Sequence, residues 1–184
     1  MKKILSVLVA LVLALGVNAA HRGKFIHVDA SVNKNLKPQI AFCQDRKDGQ
    51  NVTTLLVKTV NTNAYNEFTD ASRVLLKFSD EKNIRLNRAN AVVDKKKHSE
   101  KKGNQTMTFY ETYTEYEVSP EVISKLEAGL SIVKVRIVFK ENENKDYDLP
   151  EGYQPKFSAD LLKSYQEADD KCKKANNDLS DEDF

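Results

Sequence analysis

The chain of 184 residues has no tryptophan, two cysteines, four prolines and six glycines. Each shortage excludes a class of protein. Two cysteines cannot build a disulfide-dense scaffold, and so little proline and glycine excludes collagen-like and Gly-rich low-complexity chains. The scattered glycines form neither a phosphate-cradling loop nor the Gly-x-Ser-x-Gly elbow of a serine hydrolase. Without tryptophan, a sugar-stacking face lacks its largest ring. Three histidines, His21, His27 and His98, stand at no ligand spacing and far from either cysteine. No metal centre and no cofactor is therefore expected. The oxygen-rich run Glu141 to Asp148 lacks the spacing of a calcium loop and reads as solvated.

An excess of one charge is missing too. The chain has 29 basic and 27 acidic residues. Lys2 and Lys3 open it, and Ile4 to Val17 is almost wholly apolar. Val17-Asn18-Ala19 follows with small residues at the spacing of a cleavage site. This is the pattern of a secretory signal peptide, and cleavage after Ala19 fits it best. The run is shorter than the roughly 20 residues that span a bilayer, and no later segment reads as transmembrane. Removing Lys2 and Lys3 leaves 27 basic against 27 acidic residues, a neutral mature chain. Neutrality gives no global attraction to phosphate backbones, so nucleic acid is not an expected partner. Export also makes a disulfide between Cys43 and Cys172 chemically possible; two buried thiols are the alternative.

What the mature chain has in quantity is alternation. Segments around Phe25 to Ala30, Ile40 to Cys43, Val52 to Val60, Arg73 to Phe78 and Ile84 to Val93 read as strands. Asp48-Gly49 is the strongest hairpin dipeptide. Tyr65 and Phe68 read as anchors in an irregular stretch. Asp94 to Lys102, with five lysines, reads as a surface loop. The longest strand is Gln105 to Val118, with Met107, Phe109 and Tyr113 on one face and Tyr110, Tyr116 and Val118 on the other. Glu111, Glu115 and Glu117 share a face within it. Ser119, Pro120 and Gly129 bracket a short helix, and Ser131 to Phe139 is the next strand. Asn142 to Pro155 reads as an acidic loop. Ser158 is placed as the cap of a final helix whose stripe is Phe157, Leu161, Leu162, Tyr165, Ala168 and Cys172.

The stretch Tyr116 to Phe139 and the run Phe157-Ser-Ala-Asp-Leu-Leu resemble small exported β-rich bacterial proteins of uncharacterised function. In those, a long strand, a short capped helix and a strand bearing Lys-x-Arg precede a C-terminal helix. The resemblance covers about a quarter of the mature chain and implies no activity.

The expected fold is mainly β, of the α+β kind. It is an antiparallel β-sandwich or meander of about seven or eight strands, with one short helix and a C-terminal amphipathic helix. Residues 1–19 are the signal segment, 20–175 a single domain and 176–184 an acidic flexible tail. The expected function is non-enzymatic: a binding domain of the bacterial envelope, periplasmic, surface-associated or secreted. Its partner is a protein or small ligand in the envelope or outside the cell. Candidate contacts are Tyr110, Tyr113 and Tyr116 with Lys95, Lys96 and Lys97. A hydrolase with a site assembled from scattered acidic residues, or a structural envelope component, is the alternative.

Overall fold

The computed structural model describes residues 21–29, 36–47, 50–89 and 94–180. The signal segment with its cleavage site, the Asp48-Gly49 turn, Ala91 to Val93 and the last four residues lie outside that set. No described helix is long and apolar enough to cross a membrane.

The structure is mainly β: the described residues form two antiparallel sheets and two helices. The larger sheet runs from β1 (His21–Arg22) and β2 (Ile26–His27) at one edge, through β3 (Gln39–Lys47) and β4 (Gln50–Asn61), to β8 (Gln105–Glu117) and β7 (Asp94–Lys102) at the other. The smaller is ordered β10 (Glu143–Asp148), β9 (Ile132–Lys140), β5 (Arg73–Phe78) and β6 (Asn83–Asn87). β4 lies beside β8 with three other strands between them in sequence, so the order is not a plain meander.

Period-two patterning decides which face each sheet buries. In β5, Val74, Leu76 and Phe78 are buried while Arg73, Leu75 and Lys77 stay partly exposed. Register places Leu86 and Ile137 beside Val74, and Ile84 and Val135 beside Leu76. The larger sheet answers with Ile40, Phe42, Leu55, Val57 and Tyr116. These inner faces meet in one apolar cluster. Val122 and Leu126 of α1 (Pro120–Glu127) and Phe157 and Leu161 of α2 (Gln154–Ser180) extend it.

The end signals of α1 act as the sequence suggests, with one difference. Pro120 opens the helix, but the Ser119 side chain makes no capping bond. At the other end Gly129 takes φ +79°, where a Cβ would be strained. Leu130 N–H donates to the Lys125 carbonyl and Gly129 N–H to the Leu126 carbonyl, which closes the helix.

Among the described residues ten strands form rather than seven or eight, and two of them occupy segments whose composition reads as loops. β7 is the lysine run, and β10 lies within the acidic stretch. Both are sheet edges and nearly devoid of apolar residues. Cross-strand pairs hold β10: Arg136 grips Asp146, with Nε donating to Oδ1 at 2.5 Å and a second nitrogen to Oδ2 at 2.6 Å. Lys134 meets Asp148 at 2.9 Å. Such pairs stabilise a sheet without any hydrophobic alternation. α2 starts at Gln154, not Ser158. Ser158 sits one turn inside, donating to the Gln154 carbonyl and accepting from Ile132 N–H at 2.8 Å. The helix continues to Ser180, so residues 176–180 of the expected acidic tail are helical.

Candidate functional site

The larger sheet ends differently on its two sides. At β1 and β2, α2 and the Tyr153 that precedes it cover the edge. Ser164 Oγ accepts Phe42 N–H at 3.1 Å, and Tyr153 O–H donates to the His27 carbonyl at 2.9 Å. Glu167 accepts Lys24 N–H at 3.0 Å, and Lys171 donates to the Arg22 carbonyl at 2.8 Å. Gly23 permits this approach: a Cβ there would lie 1.9 Å from the Ser164 carbonyl oxygen.

At the other side, β7 pairs with β8 alone among the described residues. Residues 94–101 are all exposed. β8 outruns β4, which it pairs only from Tyr110 onward, so the tip of the β7–β8 hairpin stands clear of the sheet. Met107, near that tip, is 41% exposed.

The candidate lysines and two of the candidate tyrosines come together here. Lys97 lies directly opposite Tyr110, with its ammonium 5.4 Å from the ring centroid. Lys95 stands 5.5 Å above the ring of Tyr65, which in turn packs edge-on against Tyr110 at 5.1 Å. On the opposite face Lys96 stands 5.1 Å from the Tyr113 ring. Cations at these distances are attracted to the ring face, by about 0.5–1 kcal/mol where exposed. The lysines therefore form a held patch on both faces of one hairpin. Tyr65, read only as an anchor, belongs to it; its place beside Tyr110 depends on the fold, and nothing local in the sequence marks it.

Tyr116 does not belong. Its side chain is fully buried in the apolar cluster, where it faces Leu55 across the sheet. Among the described residues its hydroxyl has no hydrogen-bond partner, and burial pushes its pKa up. Register explains the error: Tyr110 and Tyr116 share a face, but β8 passes from the overhanging hairpin into the core between them.

The outer face also carries a charged cluster centred on Glu111, which is 9% exposed. Its carboxylate accepts Lys58 Nζ at 2.6 Å and the Tyr113 hydroxyl at 2.6 Å. His98 Nδ1 lies 3.8 Å away, and the His98 ring stacks on Phe109 at 5.2 Å between centroids. Burial raises the Glu111 pKa, but the bonds from Lys58 and Tyr113 outweigh it and hold the carboxyl below its ordinary value. The same burial and the Glu111 partner push Tyr113 up. A carboxylate kept ionised and doubly bonded ties β4 to β8 and is not poised to deliver a proton. Glu115 and Glu117, read on the same face, take no part in it.

Two wider grooves lie elsewhere. One of 490 Å³ separates residues 24–29 from the first turns of α2, with Lys24, His27, Asp29, Lys156, Asp160, Lys163 and Glu167 along it. Another of 540 Å³ crosses the outer face of the smaller sheet near Arg73 and Arg136. Among the described residues no three His, Cys, Asp or Glu side chains group to hold a metal ion.

Cys43 and Cys172 are both buried and no disulfide joins them. Burial first, with Glu115 adding to it, pushes the Cys43 thiol up to about 12, so it is inert as a nucleophile at neutral pH.

In comparisons with known proteins, no family model, no curated protein and no solved structure matches the chain.

Proposed function

We propose that this chain is an exported, non-enzymatic binding module that engages a protein partner in the cell envelope or outside the cell through its β7–β8 hairpin. The observation that carries the reading is the seating of three exposed lysines over tyrosine rings at 5.1–5.5 Å on a free sheet edge. Tyrosine contributes contact area at low entropic cost, and a cation held in place loses less freedom on binding than one on a loose stem. Export rests on the Lys2-Lys3 opening and the apolar run to Val17.

Differential capture from envelope extract tests the binding reading. The native protein and a Lys95→Gln, Lys96→Gln, Lys97→Gln variant are presented side by side at equal density. A stoichiometric protein retained by the first and lost by the second is the expected result. Retention by both would move the binding face elsewhere. Export is checked by fractionating cells and sequencing the mature N-terminus, which is expected at Ala20.

A further inference from the structure

We infer that the partner adds to the free edge of β7 as an extended strand bearing acidic residues at alternate positions. The inference rests on the proposed binding role of the hairpin and specifies its mode and chemistry.

The argument begins with the backbone. β7 is nine residues long and, among the described residues, pairs with β8 on one side only, so its other side presents a ladder of donors and acceptors. Such an edge accepts another strand. Side chains of an added strand fall beside those of β7 on matching faces, with Cβ atoms about 5 Å apart when directly opposite. The two faces of β7 then impose different demands.

On the face turned away from the inner side, charge is already balanced within the strand. Lys96 pairs with Asp94 at 3.6 Å, and His98 lies 3.6 Å from Glu100. On the face that carries Tyr110 the row is Lys95, Lys97, Ser99 and Lys101, with no acid in it. Among the described residues these three lysines form no ion pair. Two of them meet only tyrosine rings, at 5.5 and 5.4 Å. A strand with acids two residues apart places one beside each lysine and nothing charged on the balanced face. Contiguous acids would set half their charge against Asp94 and Glu100.

The same row disfavours antiparallel addition of a second copy of this chain. Pairing β7 antiparallel with another β7 through their free edges brings lysine rows side by side. Like charges facing across strands are destabilising. The edge thus disfavours that pairing with itself and accepts its complement.

The test uses two labelled peptides of identical composition and length, both built from threonine and glutamate. One alternates the two residues and the other groups its glutamates in a block. Binding to the purified protein is followed by fluorescence anisotropy at low salt. The alternating peptide is expected to bind about tenfold tighter, the combined effect of three cross-strand charge pairs. N-methylation of its backbone is expected to weaken binding at every second residue only. The variant Lys95→Gln, Lys97→Gln, Lys101→Gln is expected to remove the preference while melting with the native protein. Equal binding of both peptides, lost in that variant, would overturn strand addition yet leave the lysine patch as the binding face. Binding that the variant does not alter would overturn the patch and this inference together. Failure of the alternating peptide to bind the native protein would overturn the inference, while the capture experiment still judges the patch.

Discussion

The two edges of the larger sheet solve one problem in opposite ways. A sheet edge exposes unpaired backbone groups that invite other chains. At β1 and β2 the edge is covered: α2 supplies Ser164, Glu167 and Lys171, Tyr153 just before it adds its hydroxyl, and Gly23 lets the helix approach. At β7, among the described residues, no strand or helix covers the edge, and lysines guard the ladder instead. The first edge depends on geometry and fails when an atom is added. The second depends on charge and fails when charge is removed. A closed edge serves stability, whereas a charged open edge leaves a choice of partner.

Substitution at the closed edge gives the largest expected effects. Gly23→Ala places a methyl group against the Ser164 carbonyl. Overpacking against a rigid backbone is expected to cost about 3 kcal/mol or more, read by urea unfolding. A variant as stable as the native protein would show that α2 does not depend on this contact. Ser164→Ala leaves the buried Phe42 N–H without its acceptor. The expected loss is about 1–3 kcal/mol by the same measurement.

At the open edge the expectation reverses. Replacing Lys95, Lys97 and Lys101 with threonine is expected to change stability by less than about 1 kcal/mol, since the residues are exposed. Sedimentation is expected to show concentration-dependent self-association instead, because the guard is gone and threonine favours strands. A monomer with unchanged sedimentation would mean that something other than charge protects the ladder.

Acid sharpens the same contrast. The Glu111 carboxyl titrates below its ordinary 4.5 when folded. Its contribution is therefore complete above that ordinary value and is lost as pH falls through the lower folded value. β8, where Glu111 meets Lys58 of β4 and faces His98 of β7, is expected to loosen before the closed edge does. Hydrogen-exchange protection factors across the acid range check the order. The smallest effect is chemical. With its thiol pushed up to about 12, Cys43 is expected to resist alkylation at pH 8 in the native protein. It lies opposite Arg22 of β1, so faster alkylation in Gly23→Ala would report opening of the closed edge.

The sequence made the interior legible and left the edges obscure. Alternation in Arg73 to Phe78 and Ile84 to Leu86 gave both strands and their buried faces, because those residues meet apolar partners. Pro120 and Gly129 marked α1 for local reasons. β7 and β10 carried no such pattern, since each is held by pairs between strands rather than by burial. The candidate patch was half visible. Lys95, Lys96 and Lys97 and the parity of Tyr110 and Tyr113 could be read directly. That Tyr116 faces the core could not, because parity says which residues share a face and not what covers it. Tyr65 reached the patch only through tertiary folding.

Sealing the β1 edge joins the beginning of the described chain to its end. Lys24 and Glu167 stand 143 positions apart, and Arg22 and Lys171 stand 149 apart. During synthesis the first strands therefore wait for the last helix. Without α2 in place, the β1 and β2 edge would be as open as the β7 edge and would lack its row of lysines, and a protease or chaperone that recognises unpaired strands would find it there first.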